Sequence, residues 1–358
     1  MICMFELEKI LENGEDKHFP QGRKDRYCKQ YPLILEILEP IQKQAVSGTL
    51  LTDIKVRIGK GQKVDPKDLI YLNNHGPAHV ACVISRCEAI LKAHDCQITG
   101  YEAYILLVAI NLHDAGLIEG RKDHEKRVFK HIKDLDKLMG VDTAEKKLIG
   151  KIAAVHGGAI NGNKDTIKKL RDNEHILGVE VNSRFLAALV RFSDELADDQ
   201  TRASRYMLEN NSLPDKSKIY HEYSKSLSSV NIKQGCVDLA YSIDDAVAKK
   251  TFSLICKDKE SPSDGYLIDE IYIRLVKMYR EKIYCMRYLR GRKIEIKKIT
   301  FRIEGDNSDD PFTPSFTITG TIEECGFPSE PSNGIGDLCP SVAKNTGEFI
   351  KKKLSRAQ

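Results

Sequence analysis

The 358-residue chain has no tryptophan, no long hydrophobic run and no large excess of charge of either sign. Its longest apolar stretches, Tyr104 to Ile110 and Phe185 to Val190, are much shorter than the ~20 residues that a membrane span requires. The N-terminus turns acidic within six residues and lacks the basic and apolar regions of a signal peptide. We therefore expect a cytoplasmic protein without membrane association.

The near balance of charge and the missing tryptophan weigh against long nucleic acid as the main partner. Lys and Arg number 56 against 52 Asp and Glu, so the formal net charge is only +4, whereas nucleic-acid-binding domains usually carry a clustered basic excess. Tryptophan is also one of the aromatic residues on which unpaired bases stack. A long polyanion is therefore disfavoured as the main partner.

Several familiar catalytic and redox motifs are missing as well. No GxxxxGK[ST], GxSxG or GxGxxG motif occurs at a strand-to-helix junction, which argues against an NTP-driven motor and a serine hydrolase. The 10 cysteines include no CxxC pair, and several lie in apolar helical patterns such as VACVISRCEAIL. We expect reduced, mostly buried thiols that leave any metal to imidazole and carboxylate ligands.

The pattern that is present is helical up to about residue 205 and mixed beyond it. In the first part, apolar residues recur every three or four positions. In the second part the order is strand, strand, helix, strand, strand, over 236–243, 250–257, 265–290, 297–305 and 315–324. The predicted fold class is mainly α, with an all-α helical core and a smaller C-terminal α+β domain.

These patterns divide the chain into four predicted segments: a helical extension over 1–66, a helical domain over 67–210, an α+β domain over 225–325 and a tail over 326–358. The polar, turn-rich stretch 212–229 is interpreted as the boundary between the two main domains. The tail lacks periodicity, and we expect it to be loosely packed.

The long helix of the second part is amphipathic. Its apolar positions are Ile271, Ile273, Leu275, Met278 and Tyr279. A stripe of this kind faces a core, so the helix is expected to cover the sheet, with dimerisation as a lesser alternative.

Histidines and aspartates lie on apolar faces of successive helices in the first part. His79 opens a stripe that continues with apolar residues four, eight and eleven positions later, and Asp114 comes four residues after Ile110. An unpaired buried carboxylate is costly, so Asp114 should meet a cation or a strong hydrogen-bond donor. The candidate metal ligands are, in chain order, His79, His113, Asp114, His124, His156 and Asp194.

Each of these residues also has a plainer interpretation. One histidine on an apolar face is usually a core residue with a satisfied ring, and an isolated His-Asp dipeptide has almost no specificity. The chain itself contains a second doublet, His94-Asp95 in LKAHDCQ, which ends a helix in polar company and is interpreted as surface. The ordered set, with His113 and Asp114 together at one helix end, favours a metal site.

The ordered set resembles the HD superfamily of metal-dependent phosphohydrolases over roughly residues 68–205. The motifs that carry the resemblance are NHGPAHVACV, VAINLHDAG, DHEKRV, IAAVHGG and VRFSDELADDQTR. The resemblance implies that the first histidine, the His-Asp pair and the late aspartate hold one metal, and that the extra histidines His124 and His156 accompany a two-metal centre.

The donor types favour a transition metal. Imidazole and carboxylate ligands suit Mn²⁺, Fe²⁺, Ni²⁺, Co²⁺ or Zn²⁺ better than Mg²⁺. Two such ions about 3.5 to 4 Å apart would activate a water and hold the phosphoryl oxygens for in-line attack. Asp114 is the expected bridging ligand and therefore the expected catalytic residue.

Charged side chains beside the motifs are candidates for binding the substrate. Asp198 and Arg202 share one face of a helix expected to continue from Asp194. For each candidate, the alternative interpretation is an ordinary solvated charge on the surface. The candidates are Arg121, Lys122, Lys126, Asp198 and Arg202.

His75 is a further candidate on the substrate side, one turn before His79. It is either an acid or supporting group at the site or part of a loop entering the helix, and the loop interpretation is favoured. Many relatives continue the His-Asp pair with glycine and lysine, whereas Ala115-Gly116-Leu117 follows here. The lysine that often contacts phosphate is thus missing.

The first functional hypothesis is a metal-dependent phosphohydrolase or phosphodiesterase that cleaves a phosphoester of a nucleotide or (cyclic) oligonucleotide by metal-activated water. An HD-type nuclease on single-stranded nucleic acid is a narrower alternative. The second alternative is a non-catalytic, ligand-binding regulatory module. The expected partner is a phosphorylated small molecule or short nucleotide; homo-oligomerisation is left open, and the resemblance suggests a role in prokaryotic stress or phage defence.

Overall fold

The computed structural model describes most of the chain and is mainly α-helical, as predicted. The described residues are 5–14, 22–47, 73–119, 123–135, 142–157, 159, 162–254, 263–307, 310, 312–324 and 334–356. The seven cysteines within these ranges form no disulfide, and Cys87, Cys236, Cys285 and Cys339 are buried. The expectation that most of the thiols are buried is met by four of these seven, and the other three are half-buried.

The first part of the chain is a cluster of helices whose starts are visible in the sequence. Pro77 occupies the first turn of α3, where its missing N–H costs nothing. Thr99 and Glu102 form a capping box at the start of α4, with bonds of 3.1 and 3.0 Å. The helices are α1 (Glu6–Asn13), α2 (Arg23–Ser47), α3 (Pro77–Ala93), α4 (Gly100–Leu112), α5 (His124–Asp134), α6 (Thr143–Ala154) and α7 (Ser183–Glu195).

Helix α4 lies at the centre of this cluster, because all of its thirteen residues are buried. A helix that is apolar all round requires neighbours on every side. The stretch Gly100–Glu119 is long and apolar enough to cross a membrane by length and composition, and 94% of the tested window is buried inside the protein. That burial is typical of a core helix.

Two parts of this region differ from the sequence prediction. A short antiparallel hairpin, β1 (Asn173–Ile176) and β2 (Val179–Asn182), interrupts the helical pattern. The stretch 212–229, expected to be a turn-rich boundary, is mostly helix α9 (Asp215–Ser226), which follows the short helix α8 (Arg205–Glu209). Helix α9 was missed because several of its buried side chains, including Ser217 and His221, are polar.

The second part contains a four-stranded sheet with the order β3-β4-β7-β8. Strands β4 and β7 are parallel, and the two outer pairs are antiparallel. Four strands were predicted at nearly the observed positions, whereas β3 and β6 were not. The elements are β3 (Leu227–Lys233), β4 (Gly235–Asp244), α10 (Asp245–Lys249), β5 (Thr251–Leu254), β6 (Ser263–Tyr266), α11 (Leu267–Leu289), β7 (Ile296–Asp306) and β8 (Thr317–Glu323).

Helix α11 lies between the sheet and the helical cluster. The Sδ atom of Met286 lies 3.3 Å from the backbone nitrogen of Ile296, and the Tyr272 ring contacts that of Phe301, so the helix packs on β7 as predicted. Ile273 is an exception to the predicted stripe, because it is 55% exposed. The opposite side of the helix packs against α7.

The C-terminal stretch is packed, which corrects the expectation of a loose tail for residues 334–356. This stretch contains helices α12 (Ile335–Leu338) and α13 (Gly347–Arg356); Cys339 and Val342, between the two helices, are buried, and α13 buries Ile350 and Leu354. Asp269 of α11 accepts a hydrogen bond of 3.0 Å from the backbone nitrogen of Gly347. Isolated apolar residues in short helices carry no periodicity that would reveal this packing.

Candidate metal centre

Six side chains from five helical segments converge beside the end of α4. His79 lies in the first turn of α3, and His113 and Asp114 directly follow α4. The other three lie at helix ends: His124 opens α5, His156 follows α6 and Asp194 is the penultimate residue of α7. All six predicted ligands are thus brought together, in two groups within which the ligand atoms lie within 4.8 Å of one another.

A glycine explains how His124 reaches the cluster. Residues Ala115–Glu119 form a 3₁₀ helix directly after the His-Asp pair, and this turn packs against the start of α5. A Cβ atom on Gly116 would lie 2.1 Å from the carbonyl oxygen of His124. The absence of a side chain at 116 therefore allows the backbone of α5 to approach Asp114.

The first group contains His79, His113, Asp114 and Asp194. Oδ1 of Asp194 lies 3.1 Å from Nε2 of His79 and 3.6 Å from Nε2 of His113. Oδ2 of Asp114 lies 3.6 and 3.2 Å from the same two nitrogens. Two imidazoles and two carboxylates therefore face one another around a single point.

The second group contains Asp114, His124 and His156. Here the other carboxylate oxygen is used, because Oδ1 of Asp114 lies 3.4 Å from Nε2 of His124 and 3.5 Å from Nε2 of His156. Asp114 thus presents one oxygen to each group. This is the arrangement expected of a carboxylate that bridges two cations.

Backbone hydrogen bonds fix the orientation of two of the rings. Nδ1 of His113 donates to the carbonyl of Ile110 at 2.6 Å, and Nδ1 of His156 donates to the carbonyl of Ala153 at 2.6 Å. A carbonyl only accepts, so Nδ1 carries the hydrogen and Nε2 presents its lone pair when the ring is neutral. Metal-ligating histidines usually have this kind of support.

The electrostatics of the cluster favour a cation. Burial alone would raise the pKa of Asp114, but the His113 and His75 imidazoles hold it well below its usual range. Burial disfavours a charged His113, yet the Asp114 and Asp194 carboxylates hold the pKa of this imidazole well above its ordinary value. The same negative potential that favours a proton on His113 would favour a metal ion.

Buried ring nitrogens provide the test of whether these residues fit a metal. Among the described residues, Nε2 of His79 and Nε2 of His113 make no well-aligned hydrogen bond although both are shielded from water. A buried polar atom without a partner is rare and costly. A divalent cation between these nitrogens and the two carboxylates would satisfy all of them, so the donor set fits the group.

His75 and Arg202 lie against the His79 side of the cluster. His75 lies in the loop before α3, as favoured from the sequence, and its ring contacts that of His79 edge to face at 5.4 Å. Its Nδ1 donates to the carbonyl of Asn73, and Nε2 accepts from Nη2 of Arg202 at 2.5 Å. His75 therefore lies in a loop that enters the helix, and it also lies beside the candidate site.

Asp198 and Arg202 are close together, although the helix expected to connect them to Asp194 ends at Glu195. Asp199 then caps a 3₁₀ turn over Gln200–Arg202 by accepting from the backbone nitrogen of Thr201. This competing local hydrogen bond explains the break. Asp198 lies 3.5 Å from Arg202 and accepts from the Ser224 hydroxyl at 2.8 Å.

Two residues that contact Asp198 were not predicted from the sequence. Nη1 of Arg274, on α11, lies 3.6 Å from Asp198, and Ser224 comes from the stretch interpreted as a boundary. Burial alone would raise the pKa of Asp198, but Arg202 and Arg274 lower it. Both partners are distant in the chain, so no local spacing could have revealed them.

The remaining candidates do not join the cluster. Lys126 is exposed and paired with Asp123 at 2.8 Å. Arg121 and Lys122 lie outside the described residues. In the second doublet, the ring nitrogens of His94 contact backbone carbonyls of Ile90 and Glu295, and Asp95 is exposed.

Histidines and aspartates on successive helices, with a His-Asp pair at the end of the central one, define an HD-type helical module. The HD-CE family model matches residues 51–273, more than half of the chain, and the chain belongs to this family. No curated protein shows significant similarity to it. The resemblance seen in the sequence is thereby confirmed, and the matched segment contains all six candidate ligands.

Proposed function

We propose that the protein is a metal-dependent phosphohydrolase that acts on a phosphoester of a nucleotide or of a cyclic or short linear oligonucleotide. The observation that carries the proposal is the shared carboxylate: each oxygen of Asp114 faces a different group of imidazoles. When bound, a pair of divalent transition ions supplies Lewis-acid activation of water and of the phosphoryl group.

The protein's own residues hold the centre in place before any substrate arrives. The rings of His113 and His156 are oriented by backbone carbonyls, so no rotamer change is needed to present Nε2. Preorganised donors of this kind avoid a reorganisation cost during the reaction. Exposure is greatest at His124 and Asp194, with 15% and 24% of the side chain accessible, which marks the side from which a substrate enters.

Arg202 is a substitute for the positive charge that the missing lysine would provide. Arg202 places a permanent positive charge one imidazole away from the cluster, and its influence lowers the pKa of His79, after that of burial. His75 and Asp198 hold the guanidinium from two sides. We assign to Arg202 the electrostatic attraction of a phosphoryl group.

The test is hydrolysis by protein loaded with Mn²⁺, Ni²⁺ or Co²⁺. The substrates are a generic aryl phosphodiester and a panel of mono-, tri- and cyclic nucleotides and short single-stranded oligonucleotides. D114N should lose both metal content and at least about a hundredfold in rate, because one ligand serves both groups.

The second doublet offers a matched control. D95N removes the same charge from the same dipeptide, but at an exposed position remote from the cluster, and should leave metal content and rate unchanged. If metal-loaded protein is inactive on the whole panel and H113A keeps its metal content, the proposal is overturned. Activity confined to oligonucleotides would select the nuclease alternative, and metal-independent nucleotide binding would select the regulatory module.

A further inference from the structure

Three ion pairs connect helix α11 to helix α7 and to the turn directly after it, and they define what we call the charge ladder: Arg274–Asp198, Lys277–Glu195 and Glu281–Arg191. Their closest distances are 3.6, 2.5 and 2.6 Å. Stepping forward by three and then four residues on α11 corresponds to stepping back by three and then four residues in the facing segment, from Asp198 in the turn to Glu195 and Arg191 on α7. The two helices therefore run antiparallel in one fixed register.

The order of signs makes the register specific. Along α11 the charges are plus, plus, minus, and the facing charges are minus, minus, plus. A slide by one helical turn in one direction brings Lys277 opposite Arg191, and in the other direction it brings Glu281 opposite Glu195. Each slide creates a like-charge contact, which is the usual device by which helices exclude a wrong alignment.

The ladder continues directly into the candidate metal centre. Glu195 is the neighbour of Asp194 in the chain, and Asp198 holds Arg202. Asp194 lies on a different face of the same helix end, where its Oδ1 is 3.1 Å from Nε2 of His79. A shift of α7 along α11 would therefore move a candidate ligand by the same amount.

We infer that helix α11 positions the metal centre, because the charge ladder fixes the place of Asp194 and, through Asp198, that of Arg202. The inference rests on the proposed metal site. Lys277, Arg274 and Glu281 are positioning residues in it and contact no reacting group. All three lie after residue 273, where the match to the HD-CE model ends. The residues of α11 that position the metal centre therefore lie outside the matched segment.

The pair Lys277–Glu195 gives the sharpest test. The Lys277 side chain is 54% exposed, so its replacement leaves the core intact, whereas Glu195 is only 11% exposed. K277E places a second carboxylate against Glu195, beside Asp194. The affinity of the full-length protein for Mn²⁺ should fall about tenfold or more, as is typical when support of a ligand is lost. K277Q, which removes the charge without repulsion, should show a loss of a few-fold.

Two variants serve as controls. K277R keeps the ion pair and should retain affinity within about twofold. R287E makes the same charge change at an exposed position of the same helix and should also leave the affinity unchanged. Mn²⁺ affinity is measured by competition with a chelating indicator, and the unfolding temperature of the metal-free protein is measured in parallel.

The outcomes separate this inference from the proposed function. If the wild-type protein binds no Mn²⁺, the metal site itself fails. If the wild type binds and K277E and K277Q bind equally well, the inference is overturned, even when both variants lower the unfolding temperature. Weakened binding with K277E and K277Q, retained binding with K277R and R287E, supports it.

Discussion

Asp198 is a buried carboxylate whose partners come from three different elements. Arg202 and Arg274 lie 3.5 and 3.6 Å away, and the Ser224 hydroxyl donates at 2.8 Å. Removing one member of a buried ion pair leaves an uncompensated charge, which typically costs 3–5 kcal/mol. The side chain of Asp198 therefore holds two arginines in place.

We predict that D198N lowers the free energy of unfolding by about 3 kcal/mol, measured by urea denaturation of the metal-free protein. Asparagine keeps an acceptor for Ser224 but removes the negative charge between the two guanidinium groups, of which only that of Arg274 keeps another ion pair among the described contacts, with Glu270 at 2.7 Å. D215N is the matched control, because the Asp215–Lys218 pair is on the surface and such pairs contribute less than about 1 kcal/mol. Equal effects of the two substitutions would contradict the prediction.

The effect of D198N should also depend on pH. Burial alone would raise the pKa of Asp198, but the two arginines hold it below the ordinary 3.8. The unfolded chain therefore takes up its proton first as the pH falls, and the stabilisation is present above about pH 5 and lost below the usual carboxyl range. The stability difference between wild type and D198N should shrink on acidification; a difference that is constant from pH 7 to pH 3 would count against this account.

Individual ligands were predictable where burial and helical spacing coincide. His79, Asp114 and Asp194 all lie on stripes of apolar residues, and a polar group on such a stripe is conspicuous. Arg274 was not predictable, because a single arginine on an amphipathic helix has the same pattern whether it faces solvent or a buried carboxylate 76 residues away.

At the scale of elements, one buried carboxylate joins helix α2 to two other helices of the cluster. Glu145, at the start of α6, has a fully buried side chain that contacts Arg23 and Arg26, each at 2.7 Å. The Tyr101 hydroxyl donates to it at 2.7 Å. Three elements, α2, α4 and α6, therefore meet at one side chain.

We predict that E145A destabilises the protein by about 3–5 kcal/mol and exposes α2 to proteolysis. The reason is that both arginines and the Tyr101 hydroxyl would lose the carboxylate that they share. The Lys24–Glu12 pair on the surface gives the comparison, because E12A should change the free energy of unfolding by less than about 1 kcal/mol. Unchanged protease resistance of α2 in E145A would show that other contacts hold the helix.

Elements with clear periodicity were predicted and elements with mixed faces were not. Strands β4, β7 and β8 alternate cleanly and lie where the sequence placed them. Strand β3 is mostly exposed or half-buried, so its pattern resembles a polar loop. The β1–β2 hairpin turns at Leu177-Gly178, where both residues have positive φ, and its strands are only four residues long.

For the whole molecule, metal binding and folding should be linked. A cation that binds only the folded chain stabilises it by about 2.7 kcal/mol at a concentration a hundred times its dissociation constant. We predict that Mn²⁺ raises the unfolding temperature of the wild type and that a chelator reverses the shift. D114N should show almost no shift, because it lacks the carboxylate shared by both groups. An equal shift in D114N would place the bound ion elsewhere.

The overall class and several of the helices and strands could be inferred from the sequence, but the way in which its parts pack together could not. Helix α11 was expected to cover the sheet, and it does. Its sequence pattern did not indicate that its other side packs on α7. Amphipathicity reports that a face is buried and not what covers it.

The complete burial of helix α4 divides the centre into a fixed and an adjustable part. His113 and Asp114 follow a helix that is enclosed on every side, so displacing them would require the core to rearrange. His124 instead opens a helix with a solvent-facing side, whereas helix α7, which carries Asp194, is buried along most of its length. Adaptation to substrates of different size, over evolution or by design, should therefore proceed through substitutions on α5, while α4 tolerates almost none.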